Sequence, residues 1–160
     1  MASLTAVFGG LFDPVHRGHV EPLCALLDAG VVDTAIVVPT SQAVHRADAQ
    51  VSGSQRMEML RIAYADDERV QVNDIELCKS QPSYTVLTLR EFKALDPGAH
   101  LCFVLGADWS GGLDDWYQAS ELPLLAHLVV LNRPGPGLEL AGFKGFSQAC
   151  HANDLRVKPA

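Results

Sequence analysis

Short runs of β-branched and large apolar residues alternate along this chain with segments of helical periodicity, and few folds accommodate that alternation. Leu4 to Phe8 reads as a strand, and Gly18 to Ala29 as a helix with Val20, Leu23, Leu26 and Leu27 on one face and Gly30 as its stop. Thr34 to Val38, TAIVV, reads as a buried strand ended by Pro39. After a polar loop, Ser52 and Gln55 have the spacing of a capping box ahead of the apolar stripe Met57, Leu60, Ile62 and Ala63, which predicts a helix to about Ala65. Val70 to Leu77 alternates as a strand does. Pro82-Ser83 opens a helix carrying Val86, Leu89, Phe92 and Leu95, and Leu101 to Leu105, LCFVL, follows as a strand. Asp114 or Asp115 caps a further helix interrupted by Pro123, and His127 to Leu131, HLVVL, is another buried strand, after which the pattern weakens beyond Asn132-Arg133-Pro134-Gly135. Strands alternating with helices imply an α/β fold: a Rossmann-like, mostly parallel sheet with helices on both faces. At 160 residues, the expectation is a single domain spanning 1–160.

Charge and cysteine usage exclude several functions. The net charge is −7 and the pI near 5.2, which argues against a nucleic-acid surface or an anionic membrane as partner, since both reward clustered Lys and Arg. No apolar run reaches the ~18 residues that spanning a bilayer needs, and no basic-then-apolar signal pattern opens the chain, so a cytoplasmic location is expected. Cys24, Cys78, Cys102 and Cys150 are widely spaced with no CxxC, which favours buried reduced thiols over a disulfide or zinc framework.

The unusual chemistry is concentrated just after the first strand, in VFGGLFDPVHRGH from Val7 to His19. In a parallel sheet, ligands bind outside the carboxyl ends of the strands, where loops lead into helix N-termini. Gly9 and Gly10 let backbone approach a phosphate closely, and the helix that follows offers unpaired N–H groups and a positive dipole end to an anion. His16 and His19, three apart, project from one face of that helix's first turn and suit a polyphosphate as hydrogen-bond donors. A Gly-Gly turn followed by surface histidines is the plainer alternative. A metal site with His45 as third ligand is another, although a strand-to-helix turn suits an anion better than a closed cage. Neither GxxxxGK[ST] nor GxGxxG occurs, so the P-loop and the dinucleotide fingerprint are set aside.

The stretch GGLFDPVHRGH resembles the GGTFDPxHxGH signature of the HxGH nucleotidyltransferases. Further segments in the same order resemble the bacterial nicotinate-nucleotide adenylyltransferase family: His45-Arg46, SQRMEML from Ser54, PSYTVLTLREF from Pro82, FVLGAD from Phe103, Trp116, and HLVVLNRPG from His127. The resemblance implies transfer of the adenylyl group of ATP, with Mg²⁺ bound to it, to nicotinate mononucleotide. The mononucleotide phosphate attacks the α-phosphorus in line, giving deamido-NAD and pyrophosphate, and the acceptor, already an anion, needs no enzyme nucleophile. By the same resemblance His16 and His19 are the catalytic pair, acting as cations or N–H donors. Gly9, Gly10, Leu11, Arg46, Gly106, Asp108 and Arg133 join them around ATP. Phe12, His45, Ser83, Tyr84, Thr85 and Trp116 surround the mononucleotide, the Ser83-Tyr84-Thr85 amides receiving the nicotinate carboxylate and Trp116 stacking on the pyridine. No residue is expected to hold a resident metal, and any oligomer is expected to be a homodimer.

Two departures accompany the resemblance. The family's threonine after Gly-Gly is Leu11 here, which removes one hydroxyl beside the phosphates. The family's late S-S/A-T-x-x-R segment has no counterpart before Pro159-Ala160, so a C-terminally short form with weak ATP binding is expected. A noncatalytic nucleotide-binding homologue and another HxGH adenylyltransferase, such as the phosphopantetheine enzyme, are the alternative readings.

Overall fold

The computed structural model describes residues 3–41, 51–79, 84–106, 115–131 and 150–151. The first apolar run forms β1 (Leu4–Gly10) and leads into α1 (Arg17–Asp28); β2 (Thr34–Pro39), α2 (Gly53–Ala63) and β3 (Val70–Val72) continue the alternation. Then come α3 (Thr85–Leu95), β4 (His100–Gly106), a 3-10 turn at Ala119–Glu121, α4 (Leu122–Leu125), β5 (His127–Leu131) and β6 (Cys150–His151). The sheet has six strands in the order β3-β2-β1-β4-β5-β6, and every pairing is parallel. The Rossmann-like α/β fold expected from the alternation is the fold observed.

Side chains alternate across the sheet and fill two cores. On one face Ala6, Phe8, Ala35, Val37, Cys102, Val104 and Val129 pack against Leu23, Leu26 and Leu27 of α1 and Leu60 of α2. On the other, Val7, Leu101, Phe103, Leu105, Leu128 and Val130 pack against Val86, Leu89 and Phe92 of α3 and Leu122 of α4. The strand order reverses between β1 and β4, where successive crossovers leave in opposite directions. A crevice therefore opens at their carboxyl ends, and it is bounded by Gly10, paired with Pro39 of β2, and by Gly106, paired with Leu131 of β5.

Three expectations need correction. The strand predicted from Val70 to Leu77 stops at Val72, because the Asn73 side chain accepts the Ile75 N–H at 2.9 Å and the Asp74 carbonyl takes the N–H groups of Leu77 and Cys78. Apolar alternation there serves a turn, in which Leu77 lies so close to Gly53 that a Cβ on the glycine would be 3.0 Å from it. The helix predicted from Asp114 or Asp115 is instead a 3-10 turn followed by α4, with Pro123 in its first turn, where a missing N–H breaks no bond. Arg90 of α3 anchors the turn through an ion pair with Glu121 and a 2.6 Å bond to Gln118. The cysteines do not share one environment either: Cys102 is buried, Cys24 half-buried and Cys78 exposed. Among the described residues no helix is long and apolar enough to cross a membrane.

Leu89 is fully buried in the α3 face of the sheet and Leu124 is 82% exposed on α4. Leu89→Ala is expected to lower the unfolding free energy by about 2–5 kcal/mol, and Leu124→Ala by less than about 0.5 kcal/mol, as measured by urea denaturation of the two variants.

Candidate active site

The motif after β1 is built around the start of α1. His16 is the N-cap, with extended backbone, and its Nδ1 accepts the Gly18 N–H at 3.1 Å. His19, three residues on, returns the favour of a capping box: its Nδ1 accepts the His16 N–H at 3.1 Å. The two rings stack with centroids 3.8 Å apart. Gly18 makes this possible, since a Cβ there would lie 2.9 Å from Cε1 of His16. The H-R-G-H spacing is thus a helix cap made of imidazoles, with glycine where the first ring must lie.

This geometry has a chemical consequence. A ring nitrogen that accepts an N–H carries no proton, so the neutral form that makes each cap holds its proton on Nε2. An imidazolium has no acceptor nitrogen and could not make the cap. The capped form of each ring therefore carries an N–H at Nε2 and no charge.

Between β1 and α1 the chain makes a strained turn. Phe12 has φ of 51°, an uncommon conformation for an aromatic residue and one that persists only where surroundings over-determine it. Its ring is 2% exposed, edge-on to Phe8 at 5.5 Å and to His19 at 5.0 Å. A Cβ on Gly10 would be 3.1 Å from that ring, so Gly10 makes room for Phe12. With its ring committed to the core, Phe12 can meet a substrate only through its main chain.

Beneath this turn lies Arg56 of α2, only 2% exposed. Its Nη1 donates to the carbonyls of Leu11 and Thr40, each at 2.8 Å, and its Nε donates to Val51 at 3.1 Å. Burial lowers its affinity for its proton, and the Asp13 carboxylate opposes that shift. Eight residues along the same helical face, the Tyr64 hydroxyl donates to the His19 carbonyl at 3.4 Å, and burial raises the phenol well above its ordinary range.

Of the other residues singled out in the sequence, Gly106 ends β4 beside the crevice. Tyr84 is the N-cap of α3 and Thr85 its first residue. Tyr84 packs on Tyr117 with ring centroids 4.6 Å apart, and Trp116 packs edge-on to Phe103 at 5.9 Å. Trp116 is partly buried against the α3-side core. His45, Arg46, Ser83, Asp108 and Arg133 lie outside the described residues. Arg56, Tyr64 and Tyr117 were not foreseen. The signal for the first two was present, since Arg56, Leu60 and Tyr64 are spaced four apart on one buried helix face.

The cytidylyltransferase-like family model matches residues 7–157. A protein of Marinomonas sp. (strain MWYL1) named probable nicotinate-nucleotide adenylyltransferase is 36% identical over 97% of this chain and 72% of its own length. The chain belongs to this adenylyltransferase family, within the cytidylyltransferase-like proteins. A second member, the nicotinate-nucleotide adenylyltransferase of Escherichia coli O6:H1 (strain CFT073), is 37% identical over 88% of this chain and 67% of its own. A third, from Chromobacterium violaceum, is 39% identical over 84% and 65%. The fold is also that of solved Plasmodium falciparum nicotinic acid mononucleotide adenylyltransferase complexed with NaAD, with a TM-score of 0.80 at 19% identity over 93% of this chain and 74% of that one.

The imidazole cap distinguishes this family member's His16 from a surface histidine by its effect on stability. His16→Ala is expected to lower the unfolding free energy by about 1 kcal/mol, and His16→Asn, a good N-cap, to restore most of it. Urea denaturation checks this. Equal stabilities of the Ala and Asn variants would show that the cap contributes nothing.

Proposed function

We propose that this protein transfers the adenylyl group of ATP to nicotinate mononucleotide, forming deamido-NAD and pyrophosphate. The observation that carries the reading is the pair of imidazoles whose caps put a proton on each Nε2 at the start of α1, beside the Gly9-Gly10 end of β1 at the sheet's switch point. The reaction forms a bond from a phosphate oxygen of the mononucleotide to the α-phosphorus of ATP and breaks the bond from that phosphorus to the bridging oxygen. The electron pair of the broken bond leaves with pyrophosphate, and no proton has to move for the step to balance. The protein's task is to bring two anions together and to stabilise charge as it grows on the departing group.

His16 and His19 donate from Nε2 to the phosphates, and the helix dipole adds a fixed positive potential there. Gly9, Gly10, Leu11 and Gly106 supply close backbone, with Arg46, Asp108 and Arg133 completing the ATP side. The Phe12 main chain, His45, Ser83, Tyr84, Thr85 and Trp116 hold the mononucleotide. Mg²⁺ enters as part of the ATP complex, since it is readily carried by substrate phosphates and water.

Labelled ATP incubated with nicotinate mononucleotide is expected to yield the dinucleotide, and none with phosphopantetheine as acceptor. His19→Ala is expected to lower turnover by at least ~10²-fold with the fold intact, the usual effect of removing a preorganised donor. His16→Asn, which keeps the cap but lacks the ring Nε2–H, should lose turnover without losing stability. Parental turnover in a folded His19→Ala protein would contradict the assignment.

A further inference from the structure

We infer that Arg56 is a positioning residue for the phosphate-side loop: by gripping the Leu11 and Thr40 carbonyls it turns the Leu11–Phe12 peptide so that the Phe12 N–H is offered to substrate phosphate. The identity of that phosphate as ATP or mononucleotide rests on the function proposed above; the positioning itself does not.

Three observations converge on Arg56. Its guanidinium reaches carbonyls in three separate segments, Leu11 after β1, Thr40 after β2 and Val51 before α2, using Nε and Nη1. These bonds tie Leu11 after β1 and Thr40 after β2 to the start of α2. Second, the Leu11–Phe12 peptide is trans, Asp13-Pro14 being the one cis bond among the described residues. The C=O and N–H of a trans peptide point in opposite directions, so a Leu11 carbonyl drawn into the protein by Arg56 directs the Phe12 N–H away from the guanidinium. Phe12, on the far side of this peptide, has a positive φ, a conformation that persists only where its surroundings over-determine it.

Third, packing alone does not explain the charge. Among the described residues no carboxylate lies within salt-bridge distance of Arg56, and its three acceptors are neutral carbonyls. A buried cation that a carboxylate, here Asp13, offsets only through space is a poor stabiliser compared with an apolar side chain of similar volume. At the end of the sheet where anions would bind, the same charge contributes a favourable potential that water screens weakly. A lysine would keep the charge there but not the fork that reaches several carbonyls at fixed angles.

The test uses Arg56→Lys, with inorganic pyrophosphate as the probe. In the parent protein, pyrophosphate is expected to shift the Phe12 amide resonance in ¹H–¹⁵N spectra. In folded Arg56→Lys that shift should be lost and pyrophosphate should bind at least ~10-fold more weakly, as expected when one or two charge-assisted contacts are misdirected. In the adenylyl-transfer assay kcat should fall by ~10²-fold, the effect of a small misplacement of reacting groups, and the KM for the mononucleotide, whose phosphate Phe12 receives in the function proposed above, should rise by ~10-fold while the KM for ATP changes by less than ~3-fold, a split that general destabilisation would not produce. Parental pyrophosphate binding with the Phe12 shift intact would overturn the inference, as would lost activity that merely follows lost folded protein. Should Arg56→Lys fail to fold, Arg56→Gln is titrated by the same criteria. A parent that shows the Phe12 shift, lost in the variant, yet transfers no adenylyl group would refute the proposed function and support the positioning; an active parent whose variant behaves identically would do the reverse.

Discussion

Two imidazole nitrogens accepting main-chain N–H groups hold the start of α1 together. The bonds from Gly18 to His16 and from His16 to His19 satisfy amides that a helix start would otherwise leave bare. They also orient the rings and fix which nitrogen bears the proton. Structure and chemistry are therefore the same interaction: the cap that begins α1 is what selects the Nε2–H donors. Gly18 follows from it, since any side chain there would meet the His16 ring.

That cap is useful only because the sheet puts it at the right place. Reversal of strand order between β1 and β4 opens the crevice, and α1 begins at its edge. Behind the crevice α2 acts as a brace, with Arg56 holding the Leu11 carbonyl near one end and Tyr64 reaching the His19 carbonyl near the other. The turn between them, with Phe12 at positive φ and its ring edge-on to His19, is held from both sides. Hydrogen bonds and packing on the buried side thus define the backbone presented on the open side.

Much of this was legible in the residues. The strands LTAVF, TAIVV, LCFVL and HLVVL carry enough β-branched and apolar character to be read without structural context, and the Ser52–Gln55 capping box formed as its spacing indicates. The His-Arg-Gly-His spacing pointed to a shared helix face, but not to the caps, because histidine is an unusual N-cap and local patterns weigh Ser, Thr, Asp and Asn instead. Ile75 and Leu77 alternate like strand residues, yet Asn73 diverts the backbone into a turn that period-2 patterning cannot reveal. Arg56 was hidden for another reason: a charged residue in an amphipathic helix is ordinarily assigned to water, and only its spacing of four residues from Leu60 and eight from Tyr64 marks it as buried. Trp116, identified by family resemblance, packs against Phe103 with ring centroids 5.9 Å apart.

The account depends most directly on the tautomer of His16 and His19. Long-range ¹H–¹⁵N correlation spectra of the histidine rings, recorded near pH 8, above the ordinary histidine range of about 6.5, report which nitrogen is protonated. For both residues the account predicts protonated Nε2 and bare Nδ1, in contrast to the averaged pattern of a solvent-exposed imidazole. Protonated Nδ1 in either ring, or the averaged pattern in both, would contradict it.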